Sequence, residues 1–352
     1  MSGEYQRPVA AAGGLRLHLN ENTAGCSPRV LEAIRSLGAE DMAFYPDYDQ
    51  VVRETAAYLG VPEAWVLLTN GLDEGILAAT VASAQAGVIG GGTGLRPESV
   101  VPQPAFHMYG VCTGAVGGVV VEVAPREDLQ FPVDAVLDAV RPATRLVFVT
   151  SPNNPTGVRV KLDDIARVAD AVPPGALVFV DEAYHDFCGD TAVPLLSTRP
   201  NVIVGRTFAK GHGLAALRAG CVVARPETLA PLRRVVPPYS LNVCAAAGLR
   251  AALQDAGYLR WYVDQVHTSR EMVYRTCERL GLRCWESGAN FVLVRIGDRA
   301  AGLVARLAER GVFVRDRTGD PGCAGCVRIT AGVVEHTERC LSAMEDILCG
   351  AP

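Results

Sequence analysis

The sequence predicts an α/β protein: a mostly parallel sheet in a large domain with helices on both faces, plus a smaller α/β domain. Two observations carry this. Residues 146–149, 176–180 and 202–205 are short runs rich in Val, Phe and Ile, the composition of strands buried on both faces of a parallel sheet. A helical stretch at 162–171 separates the first two, which makes a βαβ unit. Beyond Gly220, a Pro237-Pro238-Tyr239 crossover leads to long helical stretches at 245–280 and to further strand-like runs at 290–294, 311–315 and 326–330. The predicted division is an N-terminal arm at 1–30 joining the small domain, a large domain at 31–240 and a small domain at 241–352.

Taken in order, residues 1–14 are small and polar, and 15–19 alternate apolar and charged side chains before Asn20-Glu21-Asn22. Ser27 then serves as N-cap with Pro28 at the first helical position, and Val30, Leu31, Ile34 and Leu37 form an apolar stripe that stops at Gly38. A Phe44-Tyr45-Pro46-Asp47 turn follows. Residues 65–68 read as a strand, and Thr69-Asn70-Gly71-Leu72-Asp73 feeds a helix running to about 84. Such a turn points backbone N–H groups and the positive helix end at one spot, which suits a phosphate. The glycines at 90–94 are not followed by Gly-Lys-Ser/Thr, so they read as a surface insertion and not as a phosphate loop. Residues 100–102 lead into Pro104-Ala105-Phe106-His107-Met108-Tyr109, and a C-terminal helix runs to about 348.

Each buried run in the centre ends in polar residues. The first gives way to Ser151-Pro152-Asn153-Asn154-Pro155-Thr156-Gly157, the second to Asp181-Glu182-Ala183-Tyr184, the third to Thr207, Lys210 and Arg218. Ligands of open α/β sheets sit beyond the carboxyl ends of the strands, so these side chains are expected on one rim. Alone, the first segment is a good turn and the second a good helix start. Lys210 is more telling. Of 33 Lys and Arg residues only Lys161 and Lys210 are lysine, so Arg has taken the generic positive positions. Lysine can shed its proton and form a Schiff base with a carbonyl, which arginine cannot. Asp181 suits a protonated pyridine nitrogen, Asn154 and Tyr184 a phenolic oxygen, and Thr207 with Arg218 a phosphate.

With those residues in place, the chain resembles the fold-type I, pyridoxal phosphate-dependent aminotransferases of class I/II, and among them the histidinol-phosphate aminotransferase branch. The matching segments run from Leu19-Asn20-Glu21-Asn22 to Arg328-Ile329-Thr330. The resemblance implies pyridoxal 5′-phosphate as cofactor and Lys210, Asp181 and Tyr184 as catalytic residues. It implies Gly71, Leu72, Asp73, Phe106, Asn154, Thr207 and Arg218 around the cofactor, with Tyr45 reaching across a homodimer to the partner's cofactor phosphate. Asn22, Arg328 and Arg315 are the implied substrate residues, Arg328 gripping an α-carboxylate. The implied reaction moves an amino group from an L-amino acid or amino-alcohol phosphate, histidinol phosphate first, to a 2-oxo acid such as 2-oxoglutarate. The alternative is a decarboxylase or lyase acting on an amino-acid phosphate, of the threonine-phosphate decarboxylase kind. The chain departs from the pattern at Thr23-Ala24, where the branch has Pro-Tyr; the Tyr replaced by Ala24 helps bind the distal phosphate. It departs also at Leu72 and Ala209, where relatives carry Ser, and at His212, where an aromatic or apolar residue is usual.

The bulk figures agree with an enzyme of small molecules. At 352 residues, 49% hydrophobic and 20% charged, the chain can bury a large core, and its net charge of −5 offers no basic footprint for nucleic acid or an anionic membrane. No apolar run reaches transmembrane length and the N-terminus has no signal-peptide core, so a cytoplasmic location is expected. The eleven cysteines are expected as reduced thiols; Cys323 and Cys326 have redox or half-zinc spacing, but no second ligand pair accompanies them, and no metal is expected. With no spare length for an added DNA-binding segment and no basic patch, a DNA-binding regulator is not expected.

Overall fold

The computed structural model describes residues 13–89 and 96–350; the first twelve residues of the expected N-terminal arm and the 90–94 glycine segment lie outside the described residues. The strands of the first part are β1 (Leu15–Arg16), β2 (Val66–Asn70), β3 (Glu98–Pro102), β4 (Val119–Val123), β5 (Thr144–Thr150), β6 (Leu177–Asp181), β7 (Val202–Thr207) and β8 (Ala219–Val223). The later part adds β9 (Arg283–Cys284), β10 (Phe291–Arg295), β11 (Val312–Phe313), β12 (Arg315–Asp316) and β13 (Cys326–Thr330).

The large sheet has the order β2-β8-β7-β6-β5-β3-β4, and within it β8 alone runs against its neighbours. Period-two alternation splits its buried strands between two cores. Val147, Val149, Val178, Val180, Val202 and Val204 face one side, with Val30, Ile165, Val168 and Leu249 from the helices Pro28–Arg35, Leu162–Ala171 and Val243–Leu253. Leu146, Phe148, Phe179 and Ile203 face the other, with Ile76, Tyr109 and Leu229 from the helices Gly71–Ile89, Met108–Ala115 and Pro226–Arg233. Ser27 Oγ accepts from Arg29 N at 3.2 Å, so this cap starts its helix as the sequence suggests.

A four-stranded sheet of order β12-β13-β10-β9 forms the second body. Val292, Val294, Val327 and Ile329 on one face pack with Val273, Cys277 and Met344 from the helices Ala256–Arg279 and Val334–Cys349. The register leaves Phe291, Leu293, Arg328 and Thr330 on the opposite face. β1 pairs with β11, and Leu15 and Leu17 join this same core, which ties the N-terminal segment to the smaller body.

Several elements differ from expectation. The single strand expected at 311–315 is two fragments: β11 pairs with β1, while β12 pairs with β13, because Val314 turns into the core between them. The sequence pattern places no strand at β8, with its Ala-Gly-Cys-Val-Val run, nor at β4 or β9. The division at 240/241 was drawn at a Pro-rich turn, yet Leu241, Ala245, Leu249 and Ala252 beyond it still pack in the large-sheet core; the smaller core begins to take residues within the helix Ala256–Arg279. No helix among the described residues is long and apolar enough to cross a membrane, and all eleven cysteines are free thiols.

Candidate active site

The carboxyl ends of β5, β6 and β7 stop side by side, since the ladders pair Thr150 with Asp181 and Asp181 with Gly205. Loops leaving these ends, the start of the helix Gly71–Ile89 and the cavity-facing side of the small sheet enclose about 500 Å³. Lys210, Asp181, Tyr184, Asn154 and Thr207 all border this space, as do Leu72, Asp73, Phe106 and Arg218 at one end and Arg315 and Arg328 at the other.

Lys210 Nζ donates to the carbonyl of Leu19 at 3.0 Å and sits 5.9 Å from the centre of the Tyr184 ring. Burial, and then the charge of Arg328, bring its pKa down to about 8, so the neutral nucleophilic amine is accessible near neutrality. Asp181 is 3% exposed. Its Oδ2 accepts from the Tyr109 hydroxyl at 2.7 Å and its Oδ1 from Ala183 N at 3.0 Å, yet burial outweighs both bonds and pushes its pKa up to about 6. Such a carboxylate lacks a cation. Tyr109 also sits 2.7 Å from Thr150 Oγ1, so a side chain rooted in the helix Met108–Ala115 orients the acid at the end of β6.

At the anion end, Gly71 opens its helix at φ 72°, and its N–H donates to the carbonyl of Arg218, itself in the left-handed region at φ 58°. A Cβ on Gly71 would lie 2.5 Å from Arg218 Nη2, and one on Gly220 would lie 2.7 Å from Gly71 C and Leu72 N. Glycine at both places lets the guanidinium lie across the turn. Arg218 pairs with Asp73 at 2.8 Å. The helix start adds N–H groups that have no acceptor within the helix.

At the opposite end Arg328, 5% exposed, donates through Nη1 to Asn154 Oδ1 and through Nη2 to the carbonyl of His18 at 2.7 Å. Burial lowers its pKa to about 10, with Arg317 and Arg315 adding to the fall. Asn154 thus links the first loop to the small sheet.

Gly71 packs against the Arg218 guanidinium without itself bordering the cavity, and two other expected residues lie elsewhere. Asn22 does not border the cavity: its amide donates to the Gly211 carbonyl and its oxygen accepts from Ala24 N, both at 2.9 Å, so its polar atoms hold the chain. Asn20 takes the place facing Tyr184. Tyr45 is 78% exposed and stacks on Tyr239 with ring centres 4.2 Å apart, away from this chain's own cavity. Sequence reasoning also passed over His18, Arg317 and Asp320 on the wall. The signal available for Arg317 was its two-residue offset from Arg315.

The residues fit pyridoxal 5′-phosphate. Asp181 is a buried acid in want of a cation such as a pyridinium N–H, Lys210 is an amine poised near neutrality, and Arg218 with the Gly71 turn makes an anion cradle. The volume of the cavity suits a small cofactor with a substrate beside it.

The family model for aminotransferase class I and II matches residues 12–344. A histidinol-phosphate aminotransferase of Ralstonia nicotianae is 35% identical over 97% of this chain and 91% of its own length. Another, from a Geobacillus species, is 33% identical over 98% and 93%. A crystal structure of histidinol-phosphate aminotransferase from Sinorhizobium meliloti in complex with pyridoxal-5′-phosphate superposes with a TM-score of 0.82 at 26% identity, covering 95% of this chain and 90% of that one.

Proposed function

The chain belongs to the class I and II aminotransferases and is a pyridoxal 5′-phosphate-dependent transaminase; from that premise we propose that its amino donor is an amino-alcohol phosphate, histidinol phosphate foremost, and its acceptor a 2-oxo acid such as 2-oxoglutarate. The observation that carries the proposal is Arg328. It is buried, its two terminal nitrogens reach only neutral acceptors, and among the described residues it has no carboxylate partner. A substrate anion supplies what is missing.

When bound, the cofactor supplies an electron-withdrawing ring that makes the proton on the substrate's amino-bearing carbon removable. Lys210 offers the amine that would hold the cofactor's aldehyde carbon; displaced by the donor's amine, it would be the base for the proton on the substrate carbon. Asp181, steadied by Tyr109, would pair with the ring nitrogen and keep it protonated. The Tyr184 hydroxyl, set by Asn20, and the Asn154 amide would address the ring's phenolic oxygen. Phe106 would lie against the ring, while Thr207, Arg218, Leu72 and Asp73, with the Gly71 turn under the Arg218 guanidinium, would hold the phosphate. Arg328 and Arg315 fix the substrate's anionic group and so aim the reacting carbon at Lys210.

The active unit in this proposal is a cytoplasmic two-fold dimer. Phe44 and Tyr45, 70% and 78% exposed, with Tyr239 form an apolar edge, from which Tyr45 would reach the neighbouring subunit's cofactor phosphate. Each subunit consists of an arm, a large cofactor-binding domain and a smaller domain. Decarboxylation is the less favoured chemistry, since the relatives described above are named as aminotransferases.

The test is a panel of histidinol phosphate, aromatic amino acids, arginine and threonine phosphate, each with 2-oxoglutarate, scoring glutamate and carbon dioxide. Glutamate formed fastest from histidinol phosphate supports the proposal. Glutamate from another donor alone overturns the substrate, and carbon dioxide without glutamate overturns the reaction.

A further inference from the structure

We infer that Arg317 is a substrate-binding residue of this site, completing with Arg315 and Arg328 a wall of guanidinium groups that takes a dianionic phosphate monoester on the amino donor. The inference rests on the reading of the donor as a phosphorylated compound.

Register puts the groups together. β12 runs antiparallel to β13 with Arg315 opposite Arg328, so the two side chains leave the same face of the sheet. Arg317 lies two residues further along and its N–H donates to the carbonyl of Cys326 at 2.9 Å, which extends the pairing and returns its side chain to that face. All three border the cavity. Like charges at cross-strand spacing repel, and among the described residues of this wall Asp320 is the one carboxylate, paired with Arg317. The wall therefore carries two positive charges without a partner.

Its hydrogen-bonding capacity is unused as well. The Arg317 side chain is 15% exposed, and its Nε and the Nε of Arg328 are buried without an acceptor. His18 borders the same space, 6% exposed, with Nδ1 buried and unpartnered; burial and the charges of Arg16, Arg315 and Arg328 depress its pKa and favour the neutral ring. The two uncompensated guanidinium charges on the cavity wall call for a ligand with two negative charges and several acceptor oxygens. A phosphate monoester offers both; a single carboxylate offers one charge and two oxygens. Backbone bonds from Asp320 N to Arg317 O and from Cys323 N to Asp320 O, both 2.9 Å, fold the connecting loop so that Asp320 turns back to orient Arg317.

The test uses the cofactor-loaded enzyme, so that the cofactor's own phosphate site is filled. Inorganic phosphate binding is measured by calorimetry for the wild type, Arg317→Gln and Arg317→Lys, and kinetics are compared for histidinol phosphate and histidinol. Arg317→Gln is expected to weaken phosphate binding about 10- to 100-fold and to raise KM for the phosphorylated donor similarly, with kcat and the unphosphorylated donor little changed. Arg317→Lys, keeping the charge, recovers part of the loss. Undiminished phosphate affinity in Arg317→Gln overturns the inference, as does an equal loss for both donors. If histidinol phosphate is not a substrate, the donor reading falls, while the phosphate titration still decides the role of Arg317. Cofactor absorbance reports whether each variant is folded.

Discussion

The side-chain amide of Asn20 donates to the hydroxyl of Tyr184 at 2.9 Å, joining two residues 164 positions apart. The same asparagine sits in the left-handed region at φ 55°, takes a hydrogen bond from Thr330 Oγ1 and offers its carbonyl to Asn290. One residue of the N-terminal segment thus fastens a residue at the end of the main sheet to the small sheet.

Asn20→Ala removes the hydrogen bond that holds the Tyr184 hydroxyl and puts a Cβ-bearing residue with no local polar group in the left-handed region. Loss of the bond should cost about 1–3 kcal/mol, with about 1 kcal/mol more from the backbone. Turnover should fall about tenfold. Denaturant unfolding and kcat measure these, and a cycle with Tyr184→Phe should show non-additive losses. Additive losses would mean the two residues act separately.

The depressed pKa of Lys210 makes a prediction about pH. Its amine is protonated below about pH 8 and neutral above, so capture of the cofactor by the cofactor-free protein should speed up through pH 8 and level off beyond it. An ordinary lysine would not level off until above about pH 10. Because the positive charge of Arg328 contributes to the depression, Arg328→Gln should move the midpoint upward. Stopped-flow absorbance across pH 6–11 reads both; a midpoint near that of free lysine refutes the assignment.

Asp181 opposes function and stability. Its pKa is raised above the ordinary carboxylate value by burial, so the fold favours the protonated form. The stability tied to this group is full below about pH 4 and is lost as pH rises through about 6. At pH 8 the cofactor-free protein therefore holds an ionised, buried acid at a cost of about 3 kcal/mol. Asp181→Asn should raise Tm of the cofactor-free protein at pH 8, with the gain vanishing near pH 4, while turnover drops at least about a hundredfold. A cofactor-free variant less stable than wild type at pH 8 would contradict this.

Gly220→Ala tests the cradle. The added Cβ would meet backbone atoms of Gly71 and Leu72 at 2.7 Å, so the turn itself must move. We expect a stability loss of about 1–3 kcal/mol and cofactor retention weakened about tenfold, read by absorbance after dialysis. Unchanged retention would show that the turn does not hold the phosphate.

Much of this protein follows from local pattern. Apolar runs with polar ends, Ser27-Pro28 at a helix start and a lysine kept where arginine is the rule are all short-range features, and the chemistry they imply at Asp181, Tyr184 and Lys210 needs only that adjacent strands end together. Tertiary structure alone decided the rest. Whether Asn20 or Asn22 faces the cavity depends on how the N-terminal segment lies against β13, and both asparagines have equal claims in sequence. The splitting of 311–315 between two sheets depends on which partners compete for it. Arg317 joins the wall because β12 pairs with β13 in one register and not its neighbour, a shift that would turn every side chain to the other face. Alternation along a strand is a property of the strand itself; the face that meets the site is set by residues far away in the chain.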